Sequence, residues 1–247
     1  MQGFVLKSTT ISDHKRIVTL FTLEQGKLQL VFRIAKRGGQ AAYISFLNRL
    51  SFSVRGREHQ LQYMQDPCLE ADSFHLGSNY LGLCLLQHLA SLVDNAMGEH
   101  QPEPHLYRLL QHSLESLPHN WQPARVPGLL LYVESWMLHF SGVLPRISEK
   151  DRFRYDSPAK MLYLNDRQLV ESKVSLHDGD AQIFADIFNS PIDRFYLNID
   201  SLPSGRIQCD FLTRALGALG YMWDHYLGKP VKTRGTLLAQ LKERKLL

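Results

Sequence analysis

The feature that most constrains the fold of this chain is a change in hydrophobic periodicity near His75. Before it, apolar and polar residues alternate, most regularly in Arg49–Arg55, where every second side chain is apolar. After it, apolar residues recur at helical spacing, as in Tyr80–Met97. A chain that changes from a period of two to a period of 3.6 residues predicts a β-structure followed by a separate helical one.

The N-terminal region predicts a small barrel. Short segments that alternate in polarity or are rich in β-branched and aromatic residues are Gly3–Ser8, Arg16–Thr22, Lys27–Arg33, Arg49–Arg55 and His59–Gln65. A hairpin turn is expected at Glu24-Gln25-Gly26, because Gly26 can adopt a positive φ angle. Five short strands fit a five-stranded OB-fold, and an SH3-like barrel fits the count nearly as well.

The rest of the sequence, after the N-terminal region, predicts packed helices with one β-insertion. Helices are expected over Tyr80–Met97, from Pro102 or Pro104 to about Leu117, from Pro127 to Phe140, over Asp178–Phe188 and Ile207–Leu227, and after Thr233. Arg152–Asp166 interrupts them with a predicted β-hairpin. We therefore predict an α+β protein with an OB-fold-like domain at 1–72 and a larger helical domain at 73–247, which carries the hairpin insertion at about 150–166.

The charge of the chain is unevenly distributed. Residues 1–60 hold ten Lys/Arg against three Asp/Glu, a net charge of +7, and residues 229–247 carry +5. Residues 61–228 carry −8. Basic ends around an acidic middle suggest a polyanionic partner, and chance clustering of charge on solvated faces is the alternative.

Several functional classes lack their sequence signatures. Three widely spaced cysteines argue against a disulfide framework or a cysteine-based zinc site. No apolar run reaches transmembrane length and the N-terminus lacks a signal peptide, so we expect a cytoplasmic protein without a membrane partner. Nucleotide-binding glycine loops, the zinc-protease motif and the serine-hydrolase elbow are absent, so we expect no catalytic residues.

The histidines do not predict a metal site. His105 and His112 share a helix face, but His119 lies beyond the helix-breaking Pro118, so surface or packing roles are expected and no metal is predicted. Asp224-His225 resembles a catalytic dyad, yet neighbouring helical positions point in different directions. A hydrolase that uses these two residues is a rival hypothesis, and it predicts turnover abolished by His225→Ala.

Basic residues near predicted turns form the strongest candidate site. Lys36-Arg37 precede two glycines that would let the loop fold over a phosphate backbone. The candidate DNA-binding residues of the N-terminal region are Lys15, Arg16, Arg33, Lys36, Arg37, Arg55 and Arg57. Tyr43, Phe46 and Phe52 are available for base stacking, with core packing as the alternative for each and the more favoured one for Phe52. Tyr43, beside the glycine loop, is the better candidate for stacking.

A second candidate lies at the C-terminal end. Pro230 stops the preceding helix, and Lys229, Lys232 and Arg234 surround it. These three side chains could contact phosphates, or they could cap helix carbonyls and form salt bridges. The sequence leaves that choice open.

Several segments, in order, resemble the RecO family of bacterial recombination and repair mediators. They are Gly3–Ser8, Asp13–Lys27, Ala35-Lys36-Arg37, Arg55-Gly56-Arg57-Glu58 and Leu227–Arg234. The resemblance implies an N-terminal OB-fold and a helical domain. It also implies binding of single- and double-stranded DNA, strand annealing, and work with RecR to load RecA onto strands covered by single-strand-binding protein (SSB), whose C-terminal tail is a further partner.

The chain departs from the family pattern in two places. Many members carry a zinc-binding cysteine cluster after the large apolar helix, whereas Ser148–Asp166 has no cysteine, so no metal and no other cofactor is expected. The family's Gln-Pro-Phe-like segment after the basic loop is replaced by Tyr43-Ile44-Ser45-Phe46. We predict a non-catalytic, nucleoid-associated DNA-binding mediator. The alternative is a protein-interaction adaptor built on the helical domain that does not bind DNA.

Overall fold

The protein forms two compact units, Met1–Arg108 and Leu109–Leu247. They are seen in a computed structural model that describes residues 1–34, 39–56, 62–117, 122–177, 179–200 and 206–247. Among these residues, no helix combines the length and the apolar character that crossing a membrane would require.

A closed β-barrel makes up most of the first unit. Its strands are β1 (Gln2–Ser12), β2 (Lys15–Thr22), β3 (Gly26–Arg33), β4 (Arg49–Arg55) and β5 (Tyr63–Ala71). They are hydrogen-bonded in the order β1-β2-β3-β5-β4, and β3 pairs with β5 in parallel while the other pairs are antiparallel. This confirms the predicted five-stranded, OB-fold-like barrel.

The alternation of β4 places its apolar side chains inside the barrel. Leu50 and Phe52 are buried in a core shared with Val18, Leu20 and Leu30. The hairpin between β2 and β3 turns at Gly26, whose φ of +69° is the conformation that glycine adopts without strain. The predicted turn is confirmed, and the core role favoured for Phe52 is the one observed.

The fifth strand lies further along the chain than predicted. We predicted it over His59–Gln65, but it spans Tyr63–Ala71, and residues 57–61 lie outside the described part. The reason is a β-bulge: the register with β4 shifts between Ser51/Cys68 and Ser53/Gln65, so Asp66 and Pro67 are accommodated and the strand continues. The Asp-Pro pair reads as a strand end in sequence, since proline cannot donate a ladder hydrogen bond.

Helices follow the barrel in the same unit. They are α1 (Phe74–Gly77) and α2 (Tyr80–Ala96), and α3 (Pro104–Glu115) begins there. The Asn79 side chain caps α2 by accepting a hydrogen bond from the Gly82 amide at 2.8 Å. The Tyr107 ring packs on Phe4 and Phe21, with ring centroids 5.0 and 6.2 Å away, and so covers the face of β1 and β2 that is opposite to the barrel core.

The second unit is mainly helical. Its longer helices are α4 (Val126–Phe140), α5 (Asp180–Asn189), α6 (Ile192–Asp200), α7 (Arg206–Leu227) and α8 (Lys232–Glu243). A small sheet with the order β6-β7-β8 consists of Phe153–Asp156, Met161–Leu164 and Arg167–Glu171. The predicted hairpin is thus present as β6 and β7, and β8 extends it to three strands.

Close helix packing explains the glycines of α7. A Cβ atom at Gly217 would lie 3.1 Å from the Val174 side chain, and one at Gly220 would lie 2.5 Å from the Arg234 guanidinium. Gly217 and Gly220 therefore serve the close packing of α7 against its neighbours rather than a nucleotide-binding loop.

Candidate nucleic-acid interface

Three candidate cations and one tyrosine come from strand ends that meet at one end of the barrel. β2 begins at Lys15, β3 ends at Arg33, β4 ends at Arg55 and β5 begins at Tyr63. In the pairing register Lys15 lies opposite Arg33, and Tyr63 lies opposite Arg55. These four residues are called the barrel-end cluster below.

The barrel-end cluster combines cations with an aromatic ring. The Arg33 guanidinium lies over the Tyr63 ring, 4.9 Å from its centroid, which is a favourable cation–π contact. Arg33, Arg55 and Tyr63 line an open cavity of about 690 Å³ together with Gln40 and other polar groups. The stacking orients the planar guanidinium and leaves its edge, which carries the N–H donors, available to a ligand.

The cations of this cluster are not neutralised by ion pairs within the described part of the chain. No salt bridge joins Lys15, Arg33 or Arg55 to an acidic side chain there. Lys15 and Arg33 are opposed on neighbouring strands, and like charges in that position destabilise a sheet. Asp66 also lines the cavity, so the end is not uniformly basic. An anionic ligand would relieve the repulsion between the two cations.

Three of the candidate residues lie outside the described residues. Lys36 and Arg37 follow β3 along the chain, and Arg57 follows β4. Their place in the site therefore stays a prediction from sequence.

Arg16 lies next to Lys15 on β2, but its side chain points to the opposite face of the strand. It is half-buried and lines a different cavity, of about 560 Å³, in the same unit. Its Nε atom is buried without a hydrogen-bond partner. A buried N–H donor without a hydrogen-bond partner lowers the stability of the fold, so this guanidinium is suited to donate a hydrogen bond to a ligand.

The C-terminal candidates belong to the second unit and differ among themselves. Lys229 and Lys232 are exposed. The Arg234 side chain is buried, and its Nε and Nη2 atoms each donate to a carboxylate oxygen of Glu134 at 2.9 Å. Arg234 also donates to the Leu216 carbonyl. Of the two roles left open by the sequence, Arg234 has the salt bridge, so we correct its assignment as a phosphate contact.

The aromatic candidates are distributed differently from the prediction. Tyr43, which the sequence favoured for stacking, is half-buried and packs on the barrel core. Phe46 lines the cavity that contains Arg16. Sequence reasoning missed Tyr63 and Phe74; Tyr63 could have been found as the aromatic residue that follows the basic turn at Arg55–Arg57.

The histidines and the suspected dyad show no further site. Among the described residues, no three His, Cys, Asp or Glu side chains are grouped so that they could hold a metal ion, and His119 lies outside these residues. Asp224 and His225 are exposed near the end of α7.

Comparisons with known proteins also divide the chain into two parts, with the boundary between residues 69 and 77 rather than after Arg108. The family model described as Recombination protein O N terminal matches residues 1–69, and the one described as Recombination protein O C terminal matches residues 77–235. The chain belongs to the Recombination protein O family. The resemblance noted in the sequence is confirmed by matches that cover both the barrel and most of the helical region.

Curated members of this family are distant in sequence. The chain is 24% identical to the DNA repair protein RecO of Koribacter versatilis, over 87% of this chain and 89% of that protein. It is 27% identical to the DNA repair protein RecO of Exiguobacterium sibiricum, over 60% of this chain and 58% of that protein. It is 29% identical to the DNA repair protein RecO of Salinibacter ruber, over 63% of this chain and 59% of that protein.

Proposed function

We propose that this member of the Recombination protein O family is a non-catalytic DNA-binding mediator of repair and recombination. It binds single- and double-stranded DNA through the basic end of its barrel and anneals complementary strands. With RecR it helps load RecA onto strands covered by SSB, whose C-terminal tail it also engages. DNA-binding activity is the part of this proposal that the described residues support directly.

The single observation that carries the proposal is the set of unpaired cations in the barrel-end cluster. Lys15, Arg33 and Arg55 are brought together by three different strands, and none has an ion-pair partner among the described residues. Within residues 35–38 and 57–61, the chain adds Lys36, Arg37 and Arg57 against one acid, Glu58. A phosphate backbone is the polyanion that such a cluster matches.

Strand annealing is a consequence of this kind of contact. Lysine and arginine side chains that contact phosphates carry no base information, so binding is nearly independent of sequence. A basic surface that holds two strands also screens the repulsion between their backbones and leaves their base edges free to pair. Positioning, rather than chemistry, is then sufficient for the activity.

The proposal is tested by measuring the affinity of a labelled oligonucleotide by fluorescence anisotropy over a salt series. With roughly six to eight phosphates contacted, the slope of log K against log salt is expected to be about −4 to −7. Arg33→Ala/Arg55→Ala should weaken binding and make the slope shallower by roughly 1.5 to 2, because two phosphate contacts are lost.

Two further variants locate the binding surface. Arg167→Ala/Lys173→Ala removes the same amount of charge from exposed positions in the second unit and should leave the slope unchanged. Lys229→Ala/Lys232→Ala shows separately whether the C-terminal segment adds phosphate contacts. If the folded wild-type protein does not bind DNA at low salt, the proposal is wrong and the adaptor hypothesis takes its place.

A further inference from the structure

The cavity that contains Arg16 has features that phosphate binding alone does not explain. It lies within the first unit, has a volume of about 560 Å³, and is formed by β1, β2, the segment before β4, α1 and α2. It is called the side cavity below. Its lining includes Ser8, Thr10, Arg16, Phe46, Phe74 and Leu83.

The walls of the side cavity present large apolar groups to solvent. Phe74 is 45% exposed and Leu83 is 41% exposed, and Phe46 is half-buried beside them. Apolar side chains left exposed together in a concave site, rather than scattered singly, are typical of ligand sites. An aromatic ring is also a surface on which another flat ring can stack.

The polar groups of the side cavity select for an anion. Arg16 is the single charged residue in its lining, so no acidic side chain of the described residues opposes the guanidinium there. Thr10 lies opposite Arg16 in the pairing of β1 with β2, and the exposed hydroxyls of Thr10 and Ser8 add hydrogen-bonding groups. The ligand that matches this lining has a flat apolar part and an adjoining negative charge.

The side cavity adjoins the barrel-end cluster along β2. Lys15 and Arg16 are consecutive, so their Cα atoms are about 3.8 Å apart while their side chains leave opposite faces of the strand. Because Lys15 is the first residue of β2, a polymer with regularly spaced phosphates that contacts it can pass around the end of the strand to reach Arg16. This continuity favours nucleic acid over an unrelated ligand.

We propose that the side cavity binds an unstacked base of single-stranded DNA, with Arg16 contacting the adjacent phosphate and Phe74 and Phe46 packing against the base. This inference rests on the proposed DNA-binding function and adds a specific preference. In a duplex each base is paired and stacked, so only a single strand can place a base in the cavity without first disrupting the helix. The protein then holds single strands more tightly than phosphate contacts alone would allow.

The test compares two labelled strands of equal length and equal charge, an oligothymidylate and an abasic strand that has the same sugar-phosphate backbone without bases. The full-length protein should bind the oligothymidylate roughly 5- to 100-fold more tightly, the range expected for stacking of a base on a side chain. Phosphate contacts are the same for both strands, so they do not contribute to this ratio.

Variants of the side cavity should abolish that preference. Phe74→Ala removes the exposed ring, and Leu83→Ala, from a different helix, removes an exposed apolar wall of the cavity without changing its charge; each should reduce the affinity ratio towards one while binding of the abasic strand changes less. Tyr80→Ala is the matched control, because Tyr80 is 55% exposed on α2 but does not line the cavity. It should leave the ratio unchanged, and thermal melting verifies that each variant is folded.

The outcomes separate this inference from the proposed function. If the wild-type protein binds both strands equally well, or if the ratio survives both Phe74→Ala and Leu83→Ala, the side cavity does not bind a base and is left for a protein segment or another ligand. In both cases the salt-dependent binding attributed to the barrel-end cluster can still hold. If neither strand binds at low salt, the proposed function has failed as well.

Discussion

The two compact units use their cations in different ways. In the barrel unit, Lys15, Arg33 and Arg55 lie at strand ends without ion-pair partners among the described residues. In the helical unit, Arg234 is buried against Glu134, and Arg214 lies 3.1 Å from Asp180. The fold compensates the charges of these two arginines and leaves those of the three strand-end cations available to an anionic ligand.

The barrel unit itself contains an exception that supports this conclusion. Lys27 belongs to β3, like Arg33, but its ammonium group lies 3.3 Å from the Asp94 carboxylate and donates to the Asp94 carbonyl at 2.7 Å. Lys27 therefore holds α2 against the barrel, whereas Arg33 stays available. Whether an acidic side chain lies nearby, rather than which strand the residue belongs to, decides whether the charge of a lysine or arginine is compensated.

The largest effect that tests this contrast is expected at Arg234. Arg234→Ala removes the guanidinium that is ion-paired with the buried Glu134 carboxylate, which should lower the free energy of unfolding by about 3–5 kcal/mol. Urea denaturation followed by circular dichroism measures the change. Arg33→Ala, at an exposed strand end, should change it by less than about 0.5 kcal/mol.

A double substitution separates charge compensation from packing at the same place. Glu134→Leu/Arg234→Met removes both charges and keeps most of the volume, so it should recover much of the stability lost in Arg234→Ala. If Arg234→Ala is as harmless as Arg33→Ala, the contrast between the two units is wrong.

An intermediate effect is expected at Gly220. A Cβ atom there would lie 2.5 Å from the Arg234 guanidinium, which Glu134 holds in place, so Gly220→Ala should destabilise the protein by about 1–3 kcal/mol. Gly235→Ala is the matched control, because it lies in α8 with no atom within 4 Å of the added Cβ and should stabilise by up to about 1 kcal/mol. Thermal unfolding of both variants gives the comparison, and stabilisation by Gly220→Ala would show that Arg234 is not fixed.

The smallest effect is expected at Tyr107 in the barrel unit. There the dependence of stability on pH comes from burial of a neutral phenol rather than from an ion pair. Burial raises the pKa of Tyr107 to about 12, so the folded state keeps a proton that the unfolded chain loses near pH 10. The stability that this neutral phenol contributes is present below about pH 10 and is lost as the pH rises towards about 12.

Tyr107→Phe removes the titrating group and leaves the ring contacts with Phe4 and Phe21. The phenol oxygen of Tyr107 is buried without a hydrogen-bond partner, so its removal should change the free energy of unfolding little at neutral pH. Urea denaturation at pH 8 and at pH 11 should show a smaller loss of stability for the variant than for the wild-type protein. Equal losses would mean that Tyr107 does not titrate in this range.

Elements with strong periodicity were predictable, and elements that depend on tertiary contacts were not. The alternation of Arg49–Arg55 predicted β4, and the helical spacing after Tyr80 predicted α2 to within one residue at its end. β8 was missed because it buries only Val170. α6 was missed for a different reason, because it is short: its buried Ile192, Phe195, Tyr196 and Ile199 do follow helical spacing, so the sequence contained its pattern. β5 was misplaced because the bulge at Asp66-Pro67 is stabilised by its partner strand.

The sequence indicated which residues belong to the candidate site but not how they are arranged in space. The sequence correctly grouped Lys15, Arg33 and Arg55 with predicted strand ends, yet it preferred Tyr43 as the stacking residue. Tyr63 stacks under Arg33 because β3 and β5 pair in parallel, and no local pattern predicts that pairing. Phe74 was not singled out, because α1 is only four residues long.

By itself, the sequence determined the fold class, the order of barrel and helical region, and the family resemblance, since hydrophobic periodicity and short motifs are local properties of the chain. Only the tertiary structure decided what each cation does. Arg234 and Glu134 are 100 residues apart, and Lys15 meets Arg33 only through strand register. Charge compensation falls off steeply with distance, so it depends on which side chains the fold brings within a few ångströms of each other.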